Sequence, residues 1–120
     1  MTKERKFDLE ERLIDYAVVI IGIIDQLPVN KATTHLGGQL LRSSSSPALN
    51  YGEVQAAESR KDFIHKMKIV LKELRESYNC LRVLTKAGFL NNEKVLDETN
   101  QLIAIFVKSL ETAKKNSTKS

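Results

Sequence analysis

The chain has 120 residues, 42% of them hydrophobic and 28% charged, with a formal net charge of +4. That length supports one domain, residues 1–120, whose core needs no metal or disulfide staple. The lone Cys80 excludes an internal disulfide and fits a reducing compartment. Met1 to Lys6 lacks the apolar run of a signal peptide, and Tyr16 to Ile24 is too short to span a bilayer. A cytoplasmic protein with no membrane contact is therefore expected.

Residues 1–7 are charged and read as a loose terminus. Asp8 and Glu11 have capping-box spacing, so a first helix is expected over about Leu9 to Leu27, stopping at Pro28. Its middle, Ala17 to Ile24, is apolar nearly all the way round. A helix packed on one side only carries a polar back, so this one is expected to be buried on more than one side.

A second helix is predicted from a cap at Thr33 or Thr34 to about Ala57. It contains Ser43-Ser44-Ser45-Ser46-Pro47, a composition that also reads as a linker between two domains. Leu36, Leu40 and Leu41 before the run, and Ala48, Leu49, Val54 and Ala57 after it, keep a helical rhythm. That rhythm favours one long helix kinked at Pro47, with serine hydroxyls satisfying the carbonyls that a proline frees.

Ser59 with Asp62 opens a third helix that Gly88 closes. It carries two stripes. Phe63, Met67, Val70, Leu74, Leu81 and Leu84 form an apolar one, widened by Ile64, Leu71 and Tyr78. Lys61, His65, Lys68, Lys72, Arg75, Asn79, Arg82 and Lys86 form a polar one on the opposite side. Eight Lys or Arg face three acids between Ser59 and Lys86, whereas Leu9 to Leu27 holds four acids and one arginine. A fourth helix starts at Asn91 or Asn92 and runs to about Lys114, with Leu102 to Val107 apolar on most faces. Residues 115–120 read as a loose tail. The fold class is therefore all-α, an up-and-down four-helix bundle with a proline-kinked second helix. The apolar girth of the first and last helices exceeds what one small bundle consumes, and points to self-association.

The segment Gln39 to Glu53 together with Glu58 to Ser77 resembles the bacterial four-helix-bundle proteins encoded in 23S ribosomal RNA intervening sequences, a family related to the accessory variability proteins of diversity-generating retroelements. The pattern is an Arg42-Ser43 start, Asn50 with Glu53 three residues on, then Asp62-Phe63-Ile64-x-Lys66 and Leu71-Lys72-Glu73-x-x-Glu76-Ser77. The resemblance implies a ring-like homopentamer without enzymatic activity. Cys80 departs from it, standing where an aromatic is expected. The retroelement role is not carried over, because no partner-binding signature beyond a basic surface is present.

Arg42, Asn50 and Glu53 are expected to form a structural polar network, buried or at an interface, around the kink. Lys61, Lys68, Lys72, Arg75, Arg82 and Lys86 are the candidates for contacting RNA or DNA, since phosphate contacts need only cations at suitable spacing. His35 and His65 are isolated from other metal ligands, and Glu73 and Glu76 read as surface or interface pairs. No nucleophile elbow or phosphate-binding glycine loop is present. No catalytic residue, metal or cofactor is expected. The partners in view are further copies of the chain, RNA or DNA, or a protein held by a scaffold.

Overall fold

Each helix starts where a short polar side chain can accept a backbone N–H that the first turn leaves orphaned. The Asp8 carboxylate accepts from the Glu11 N–H at 3.0 Å, Asn30 from Thr33 at 2.9 Å, Ser59 from Asp62 at 3.0 Å, and Asn92 from Val95 at 3.0 Å. The computed structural model describes residues 8–119, with side chains as far as Asn116. The helices are α1 (Leu9–Gln26), α2 (Lys31–Gln55), α3 (Arg60–Lys86) and α4 (Glu93–Lys119). The expected loose stretch 1–7 lies outside the described residues.

Two boundaries differ from expectation. The α2 cap is Asn30, and Thr33 completes a capping box with it by accepting the Asn30 N–H at 3.1 Å. Thr33 is thus the helix's third residue, not its cap. The α4 helix continues to Lys119, so residues 115–119 are helical and not a loose tail. As expected, α2 is one long helix that continues through Pro47, and the serine run is part of the core and not a linker. Ser43, Ser44 and Pro47 are all fully buried. The hydroxyls turn back onto carbonyls one turn earlier, Ser45 donating to Leu41 O at 2.6 Å and Ser43 to Leu40 O at a long 3.4 Å.

Gly88 ends α3 with φ +86°. The Phe89 N–H donates to Leu84 O and the Gly88 N–H to Thr85 O, the paired bonds of a Schellman motif. Around the bundle, α2 packs between α1 and α3, and α3 between α2 and α4, while α1 touches α4 only lightly. The pairs α1/α3 and α2/α4 are therefore diagonals. The core holds Leu13, Ile20, Leu40, Leu74, Leu84 and Phe106, each with essentially no exposure. Cys80 also packs into it, its thiol donating to Leu36 O at 3.3 Å. Among the described residues no helix is long and apolar enough to cross a membrane.

Hydroxyls cross the centre of this core. Thr99 Oγ1 donates to Val95 O at 2.6 Å, so in its 2.7 Å contact with Tyr16 the phenol is the donor. Ser43 and Ser77 pair at 2.8 Å. Two hydroxyl pairs thereby cross the core, Ser43 of α2 with Ser77 of α3 and Tyr16 of α1 with Thr99 of α4. Burial pushes the Tyr16 phenol up to about 12, against the smaller opposing effect of its hydroxyl partners.

Candidate nucleic-acid interface

The α3 helix amplifies its charge by disposing of its own acids. Asp62 takes the Lys66 ammonium at 3.1 Å, one turn on. Glu73 and Glu76 both turn to α2, where Arg42 grips Glu73 through Nη1 at 3.0 Å and Glu76 through Nη2. These are the three acids of α3. Lys61, Lys68, Lys72, Arg75, Arg82 and Lys86 are all exposed, and none forms an ion pair with a described residue. At about 1.5 Å per residue they extend along roughly 38 Å, close to one turn of duplex DNA. His65 and Asn79 fill gaps in the same face. Arg82 also lies over the Tyr78 ring, 5.9 Å from its centroid.

The triad expected around Pro47 does not close on itself within the protomer. Arg42 is half exposed and spends its guanidinium across the α2–α3 seam on Glu73 and Glu76, which raises its pKa further. Asn50 is exposed and donates to Ser46 O at 3.0 Å and to Ser46 Oγ at 3.1 Å. Glu53, also exposed, lines a cavity of about 300 Å³ with Asn50, Ser46, His65 and Lys66. Helical spacing placed Arg42 and Glu53 on one face, but two carboxylates of the neighbouring helix lie within closer reach of the guanidinium.

Sequence patterns gave no role to Arg12, which joins α1 to α4. Its Nε and Nη2 donate to Glu98 at 2.8 and 2.9 Å, and Nη2 also reaches Gln101 Oε1 at 2.9 Å. A lone arginine among the acids of α1 was the available signal. Among the described residues, no group of three or more His, Cys, Asp or Glu side chains could hold a metal ion. Burial, and secondarily Glu76, pushes the Cys80 thiol pKa up, which disfavours the reactive thiolate.

The α1 helix carries the second unusual surface. Leu13, Tyr16, Ile20 and Ile23 are buried, yet Val18, Val19 and Ile21 remain 60%, 50% and 52% exposed and Ile14 40%. Within the protomer α1 is therefore buried on one side only, contrary to the expectation from its all-round apolar composition.

A family model described as 23S rRNA-intervening sequence protein matches residues 5–111. The chain belongs to this family. A crystal structure of a protein of unknown function from the S23 ribosomal protein family of Bacteroides thetaiotaomicron is similar at a TM-score of 0.78. The two are 24% identical, and the match covers 86% of this chain and 98% of that one. That similarity speaks to the fold, and the bundle described above is the one the resemblance in sequence implied. No curated protein matches the chain.

Proposed function

We propose that this chain is a non-enzymatic, cytoplasmic bundle that assembles into a homo-oligomer, a pentamer as its family resemblance implies. In this reading it acts as an accessory protein binding RNA or DNA through the outer face of α3. The observation that carries the proposal is the charge arrangement of α3: all three acids are drawn off to Lys66 and Arg42, and six cations stay exposed along one face with no ion pair to a described residue. A face adapted only for solubility gains nothing by segregating its acids, whereas a polyanion gains from their removal.

The test is fluorescence anisotropy with duplex and single-stranded RNA and DNA across a salt series. If all six cations meet phosphates, the log–log salt slope on duplex DNA is about −5 per bound protomer, and Lys72→Gln with Arg75→Gln reduces it by about 2. Absence of binding at micromolar protein and low salt refutes the reading.

The exposed Ile14, Val18 and Ile21 favour a second reading, a scaffold that holds a protein partner without nucleic acid. Salt-dependent polyanion binding separates the two, since only the first predicts it.

A further inference from the structure

At the α2–α3 turn a cavity of about 530 Å³ opens between the end of α2, the start of α3 and the second half of α4. Its floor is apolar, made by Val54, Ala113 and the half-buried Phe63. Two cations reach it from different helices, Arg60 from α3 and Lys108 from α4, and neither forms an ion pair with a described residue. Ser109 and Thr112, beside Lys108 on α4, add hydroxyls that bond no other described residue. Among the described residues no carboxylate lines the cavity. The closest acid in sequence on α3, Asp62, is engaged by Lys66 and by the Glu58 N–H at 3.2 Å. The smaller cavity beside Asn50 contains Glu53 and so lacks this single-sign lining.

We propose that this cavity is a phosphate-monoester site that takes a nucleoside monophosphate, either free or as the phosphorylated end of a strand. A phosphate dianion offers several acceptor oxygens to two cations and two hydroxyl donors. The volume lies within the range of small-molecule sites, and Phe63 supplies a ring against which a base can stack. The site lies at the Lys61 end of the basic face, but its occupation by a free nucleotide does not depend on that face binding a strand.

Calorimetric titration of the whole chain with AMP and with adenosine tests the site directly. AMP is expected to bind at least tenfold more tightly than adenosine, and Arg60→Gln with Lys108→Gln to erase that difference. Both positions are exposed, and circular dichroism checks that the variant folds. In the unmodified protein, AMP should move the amide resonances of Ser109 and Thr112 above all others. Equal affinity for AMP and adenosine, an unaltered preference in the double variant, or resonance shifts elsewhere would each overturn the proposal. A short oligothymidylate carrying either a 5′-phosphate or a 5′-hydroxyl identifies the source. Preference for the phosphorylated end assigns the site to strand termini, and AMP binding without that preference assigns it to free nucleotide. Loss of all strand binding with AMP binding intact refutes only the α3 reading.

Discussion

Replacing Thr99 by valine keeps the shape of the side chain and removes the oxygen that accepts from the Tyr16 phenol. Tyr16, 2% exposed, then holds an O–H with no acceptor in its former direction. An orphaned buried donor costs roughly 1–3 kcal/mol, whereas losing both partners of a bond to apolar groups of similar shape is nearly neutral. Thr99→Val is therefore expected to cost about 2 kcal/mol. Tyr16→Phe removes the phenol and leaves Thr99 its bond to Val95 O, for about 1 kcal/mol. The double variant should cost distinctly less than the sum, with a coupling of about 1 kcal/mol or more. Urea unfolding followed by circular dichroism measures all four states of the cycle. Protomer concentration must be held fixed, since any assembly makes stability concentration-dependent. Additive costs, or a Thr99→Val change within about 0.5 kcal/mol of zero, would refute the Tyr16–Thr99 bond as drawn.

The same phenol sets an alkaline limit. Its pKa is raised from 10 to about 12 in the folded state, so folding favours the protonated form. That contribution is complete below pH 10 and is lost as pH rises toward 12, roughly 2–3 kcal/mol in all. Tyr16→Phe should lack this loss, and its stability curve should approach or cross that of the parent chain near pH 12. Gly88→Ala meets no atom within 4 Å of the added Cβ, so the left-handed backbone alone sets the cost, about 1 kcal/mol by urea unfolding. An unchanged midpoint would refute that assignment. Arg42→Ala leaves Glu73 and Glu76, one turn apart, without their shared cation. The unfolding midpoint should fall, and fall less in high salt; an unmoved midpoint at low salt would show that the clamp contributes nothing.

What the sequence made legible was local. Asp8, Ser59, Asn92 and Gly88 each act within a few residues of themselves, so their caps could be read directly from spacing. The exposed basic face was legible for the same reason, since helical periodicity fixes which positions share a side. The α2 start lies ahead of the expected cap because Lys31 and Ala32 add nothing to the apolar rhythm, although Asn30 with Thr33 has the spacing of a cap. Pairings between helices were not legible. Arg12 meets Glu98 across 86 positions, and nothing near Arg42 in sequence selects Glu73 and Glu76 over Glu53. The two serines and the threonine of the core hydroxyl pairs, one on each of three helices, are unremarkable until packing pairs Ser43 with Ser77 and Thr99 with Tyr16. Composition alone also could not say how α1 distributes its apolar side chains, because a buried helix and one awaiting a second copy have the same residues.

The diagonal placement of α1 and α3 links the two unusual surfaces. An assembly that covers Ile14, Val18 and Ile21 does so on the side of the bundle remote from Lys68, Lys72 and Arg75, so each added protomer presents its basic face again. Multivalent attachment to one strand can then exceed single-protomer affinity by about 10²-fold or more without any new contact. Val18→Glu with Ile21→Glu places charge on the apolar face while leaving every α3 cation in place. Light scattering should show such a variant at 13.6 kDa, with unchanged helical signal and strand affinity reduced by at least tenfold. A parent chain already at 13.6 kDa would remove the assembly from the account. A dissociated variant that keeps full affinity would show that one α3 face suffices, and that the oligomer serves some other end.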